Sequence, residues 1–189
     1  MNQEKSSPLA KSVISALFAA LISAGAYIAI PLGPVPFVLQ NFFVILTALL
    51  LGPAGALLSV SLYLLLGAIG LPVFAGGTGG FAHFFGPTGG YLLSYLPAAL
   101  LGSLAANAGR KLRGGIARGA VNTAAALICA GTVYLVGVPW LMKTTGMSRG
   151  AGLAAGFYPF IIGDLIKISV AVAVAVPLRE RIDEMLYGT

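Results

Sequence analysis

Two residues in the last third of the chain, Asp164 and Lys167, have the types and spacing to do chemistry. They stand three residues apart in Gly163-Asp164-Leu165-Ile166-Lys167, and on a helix that spacing puts both on one face. A carboxylate only accepts hydrogen bonds, and an ammonium offers three donors and no acceptor. Side by side they suit a ligand that carries both N–H and C=O groups. The competing reading is a self-neutralising ion pair that orders a bundle of helices. A proton or ion relay usually strings several ionisable groups in series, and here there is one pair.

Other motifs fall short of catalysis. His83 has no second His, Cys or carboxylate at ligand spacing, which argues against a metal site and for a role in a pocket wall or lid. Gly146-Met147-Ser148-Arg149-Gly150 matches a nucleophile pattern by letter, but no His follows it as a triad partner. Gly76-Gly77-Thr78-Gly79-Gly80 lacks the Lys-Ser/Thr ending of a phosphate-binding loop. No enzyme activity, metal or cofactor is expected, and no nucleotide-binding motif is present to support ATP hydrolysis.

The elements that must position the pair follow from composition. Of 189 residues, 58% are hydrophobic and 8% are charged, whereas soluble domains carry about 25% charged residues. A soluble enzyme, a nucleic-acid binder and a disordered chain are thereby excluded, and the net charge of +6 records orientation in a bilayer instead. Cys129, the single cysteine, lies in an apolar run and reads as a small packing residue. Lys5 and Lys11 precede an apolar stretch that continues unbroken to Ile30, which predicts an uncleaved first span with membrane lipid around it.

About 20 apolar residues cross the hydrocarbon core. That ruler predicts an all-α membrane protein, one domain over 1–189. It would be a compact bundle of six transmembrane helices at roughly 12–30, 37–52, 54–70, 89–108, 119–138 and 157–177. Gly52-Pro53 alone separates the second and third, as a tight hairpin or one interrupted hairpin. With both termini cytoplasmic, the inside collects Lys5, Lys11, Arg110, Lys111, Arg113, Arg118, Arg179 and Arg181, and the outside only Lys143 and Arg149. Asp164 and Lys167 remain within a span, Asp164 about 9 Å along from Tyr158. After Pro177 a solvated tail with offsetting charges is expected.

Ser12, Ala16, Ala20 and Ala24 recur every four residues as a ridge of small side chains, suited either to packing within the bundle or to a partner helix. Two outer connections, 31–36 and 70–91, are apolar and rich in Gly and Pro. Irregular backbone at membrane depth must be buried in protein or line a cavity, so these loops are expected to fold back as a lid over a pocket.

The run Gly33-Pro34-Val35-Pro36-Phe37-Val38-Leu39-Gln40 carries a resemblance when joined to Leu51-Gly52-Pro53 and to Gly67-Ala68-Ile69-Gly70-Leu71-Pro72-Val73-Phe74. Gly86-Pro87-Thr88-Gly89-Gly90-Tyr91 and Gly163-Asp164-Leu165-Ile166-Lys167 complete it. In this order, over nearly the whole chain, the segments resemble the BioY family of biotin transporters. That resemblance implies the substrate-binding S component of an energy-coupling factor transporter in a bacterial cytoplasmic membrane. Its partners would be a transmembrane coupling subunit and two ABC-type ATPases, although some members are thought to work without that module. Ala16 and Ala20 resemble the first-helix motif used for docking on the coupling subunit.

Biotin has a cyclic urea, an apolar thioether ring and a carboxylate tail. The resemblance then implies that Asp164 accepts from a urea N–H while Lys167 donates to the urea oxygen or pairs with the carboxylate. Phe74, Phe81, Tyr91 and Tyr158 would supply apolar wall, and Gln40, Thr78 and the backbone of Gly79 further hydrogen bonds. Another vitamin on the same scaffold, or a membrane scaffold with a purely structural pair, are the alternatives.

Overall fold

A computed structural model describes residues 8–109 and 115–187 of the chain. Lys5 and the Arg110, Lys111 and Arg113 cluster, used above for orientation, lie outside the described residues. The order of elements is α1 (Pro8–Tyr27), β1 (Ala29–Ile30), β2 (Phe37–Val38), α2 (Gln40–Ala68), α3 (Gly89–Ala108), α4 (Gly115–Thr145), α5 (Arg149–Gly156) and α6 (Ile161–Tyr187). Short 3-10 turns at Phe81–Phe85 and Tyr158–Phe160 precede α3 and α6. Five helices among the described residues are long and apolar enough to cross a membrane.

The helix breaks follow from what stands before each proline. Proline removes one backbone donor and crowds the preceding turn, yet Pro97, Pro139 and Pro177 all sit inside continuing helices. Each follows a side-chain-bearing residue, Leu96, Val138 or Val176. Pro53 follows Gly52, whose φ of 71° and ψ of 172° are open to glycine alone. There α2 doubles back on itself: Gln40 in its first turn donates to the hydroxyl of Tyr63 at 2.7 Å, a contact that a straight helix would hold roughly 35 Å apart.

α2 is apolar on all sides and occupies the centre, with 67% of its most hydrophobic stretch buried against 33% for α1. Small residues bring α3 and α4 together: Ala98, Ala99, Ala125, Ala126 and Cys129 are fully buried, and Gly102 faces Cys129 and Ala48. On α1, Ser15, Phe18, Ala19 and Ile22 turn inward, and Ser15 reaches the Gly55 carbonyl at 3.5 Å. Ser12, Ala16, Ala20 and Ala24 are exposed, so the small-residue ridge faces outward and does not pack within the bundle.

The fold is helical as expected apart from one short element, an antiparallel ladder of Ala29–Ile30 and Phe37–Val38 that closes the proline-rich 31–36 loop. Two expectations need correction. The segment expected at 157–177 starts as the 3-10 turn, and the helix proper runs from Ile161 through Pro177 to Tyr187. The residues past Pro177 are therefore helical and only partly solvated: Glu180, Arg181 and Glu184 are exposed, whereas Arg179 and Ile182 turn inward. Arg179 is buried and donates to Asn122 Oδ1 at 3.2 Å and Asn107 Oδ1 at 3.4 Å, which ties α6 to α4 and α3.

Candidate functional site

At the end of the bundle opposite the chain termini, the two apolar loops and the ends of α2, α3, α4 and α6 enclose a cavity of about 240 Å³. The β-ladder fixes one wall. It places the Phe37 ring against α6 where Gly163 leaves room, since a Cβ there would stand 2.5 Å from that ring. Phe37 lies parallel to Phe160, and the ammonium of Lys167 sits 3.7 Å from the centre of the Phe37 ring.

Asp164 and Lys167 lie within the cavity lining and are almost fully buried. Lys167 Nζ donates to Asp164 Oδ1 at 2.8 Å and to the Val38 carbonyl at 2.8 Å. The Tyr134 hydroxyl, brought in by α4, donates to Asp164 Oδ2. Asp164 stands in the first turn of α6, where the helix dipole favours a negative group. A buried pair of this kind is tolerable only when its remaining hydrogen-bonding capacity is met, and here each charge has two protein partners. Beyond these bonds each carboxylate oxygen has a further lone pair, and the ammonium a third N–H.

The second polar layer comes from α2 and α3. Gln40 is buried and tied to Tyr63, and the Tyr95 hydroxyl donates to Asn41 Oδ1 at 2.6 Å. Tyr91 donates to the Gly156 carbonyl at 2.9 Å, fixing α3 to the end of α5. The 70–88 loop folds over the cavity. Gly76 N–H bonds Ala26 of α1 at 3.0 Å, Gly80 N–H bonds Gly67 at 2.7 Å, and Trp140 Nε1 holds the Gly86 carbonyl at 3.1 Å. Phe74 reaches inward from this loop because Gly67 of α2 has no side chain in its way.

Of the residues expected at the site, Asp164, Lys167, Gln40, Phe74, Thr78 and Tyr91 line the cavity, and Gly79, Phe81 and Tyr158 do not. Phe81 and Tyr158 are 64% and 58% exposed: their 3-10 turns point them away from the bundle, Phe81 packing against Phe84 and Phe85 of its own turn and Tyr158 against Phe157 just before its turn. Gly79 is pressed against the Leu71 carbonyl, which stitches the loop to itself. His83 takes its place in the wall, with its ring centre 5.7 Å from that of Phe74. Sequence reasoning missed Asn41, Thr88, Tyr95, Tyr134 and Phe160, which also line the cavity. Asn41 had a signal, standing beside Gln40 at the mouth of an apolar span; Tyr134 had none that separates it from other span tyrosines.

Fold and cavity together define a helical, multi-pass membrane protein with a small-molecule pocket of aromatic walls and a neutralised acid–base pair at one side. The BioY family model matches residues 1–184, and the chain belongs to the BioY family. It is 43% identical to the biotin transporter BioY of Thermotoga maritima over 164 residues, covering 87% of this chain and 92% of that protein. With the biotin transporter BioY of Rhodobacter capsulatus it shares 41% identity over 168 residues, 84% of this chain and 87% of that protein. Among solved structures, the S-component for biotin from an ECF-type ABC transporter superposes with a TM-score of 0.81. The identity is 32%, over 91% of this chain and 92% of that one.

Proposed function

We propose that the protein binds biotin in this cavity and carries it across the membrane as the S component of an energy-coupling factor transporter. The observation that carries the reading is the Asp164–Lys167–Tyr134 cluster set in an aromatic cavity at a helix start. A cyclic urea presents N–H donors to the spare carboxylate lone pairs and a carbonyl to the spare ammonium N–H. The apolar thioether ring finds Phe74, Tyr91 and Phe160. Binding, and not bond-making, is what this arrangement does.

Counting the two arms of α2 separately gives six crossings, with both termini on the cytoplasmic side and the cavity facing outward. Among the described residues, Lys11, Arg118, Arg179 and Arg181 cluster at the terminal end of the bundle, which supports that orientation. The outward ridge of Ala16 and Ala20 is the surface on which a transmembrane coupling subunit would dock, with two ABC-type ATPases beneath it.

The rival reading is a pair with a purely structural role, favoured by both carboxylate oxygens being bonded already. Uptake of labelled biotin by cells that lack their own transporter separates the two. Expression with a coupling module should give uptake that unlabelled biotin abolishes and other vitamins leave intact. Competition by a different vitamin, or no uptake from a folded protein, contradicts the proposal.

A further inference from the structure

The acid and base of the cavity face each other, so that side of the pocket carries no net charge. A carboxylate laid against Lys167 would meet Asp164 as well and gain little, while losing its own hydration. On the reading above, the biotin tail therefore needs another partner. The 70–88 loop and the start of α3 supply one. His83, half-buried in the wall, has no side-chain hydrogen bond among the described residues. Thr88 lines the same cavity immediately before α3, and its hydroxyl caps nothing. The positive end of the α3 dipole adds to both. The other threonine hydroxyl of this wall, that of Thr78, is already given to the Ala75 carbonyl at 3.1 Å.

We infer that His83 and Thr88 form the subsite for the carboxylate of the ligand, leaving the neutral urea to the Asp164–Lys167 pair. An imidazole keeps one N–H donor even when neutral, and His83 stands where water still reaches, so the anion is only partly desolvated there. The Phe74 ring packs edge-on against both His83 and Tyr63, which backs Gln40, and so supplies an apolar surface beside the imidazole.

This assignment rests on biotin being the ligand, and the test separates the two. Equilibrium binding of biotin and of biotin methyl ester, whose tail is uncharged, is measured for the wild type, His83→Phe and His83→Gln. His83→Phe keeps a ring against Phe74 and removes the N–H. It should weaken biotin binding about tenfold and leave the ester within about twofold, while His83→Gln retains most of the biotin affinity. Equal losses for both compounds, or no loss for either, overturn the subsite and leave the biotin reading standing. A wild type that binds neither compound overturns both.

Discussion

Asp164 and Lys167 near one end of α6 and Arg179 near the other are buried charges on the same helix, and the protein accommodates them differently. At the cavity end the charges neutralise each other, and a tyrosine hydroxyl and a backbone carbonyl meet part of their remaining capacity. At the terminal end Arg179 of α6 donates to the amide oxygens of Asn122 on α4 and Asn107 on α3, and so joins three helices. It does not line the cavity. Spare lone pairs at a cavity wall mark a place for a ligand, whereas a cation shared between acceptors on packed helices marks a clamp. Burial alone does not distinguish the two; what the charge faces does.

Removing charges from the two ends tests that distinction. Asp164→Ala leaves Lys167 buried without its counter-ion, so biotin affinity should fall by a factor of about 100 or more and stability by about 3–5 kcal/mol. The double variant Asp164→Leu with Lys167→Met should recover most of the stability in thermal unfolding and none of the binding. A double variant that stays as unstable as the single one would mean that the pair is chiefly structural. Arg179→Ala should lose about 2–3 kcal/mol of stability and keep biotin affinity within about twofold, as measured on detergent-solubilised protein. A large loss of affinity there would erase the contrast between the ends.

Finer substitutions sharpen it. Tyr134→Phe keeps the ring and removes the hydroxyl given to Asp164, so affinity should fall about tenfold with under about 1 kcal/mol of stability lost. Phe81→Ala and Tyr158→Ala, outside the cavity, should leave binding within about twofold. A strong effect at either would mean that the lid closes further over bound ligand.

The charged pair was legible because the membrane makes intramembrane charge rare, and two residues three apart need no tertiary information to be placed together. Helix ends were less legible. Pro177 looks like a stop by local rules, and it continues because the surrounding helices support the turn it weakens. Gly52-Pro53 reads as a break because glycine opens a backbone region that Leu96, Val138 and Val176 avoid. Side-chain direction was the least legible. Phe81 and Tyr158 are as aromatic as Phe74 and Tyr91, and only the 3-10 turns decide that the first two face out. Tyr134 became visible only when α4 was packed against α6, since nothing local singles out that face of the helix.

The central claim is that Asp164 and its partners form a biotin site, and equilibrium titration of purified protein in detergent with biotin tests it most directly. The wild type should bind saturably with one site per chain, and folded Asp164→Asn should bind at least about 100-fold more weakly. A folded wild type that does not bind biotin, or an Asp164→Asn protein of unchanged affinity, would contradict the account.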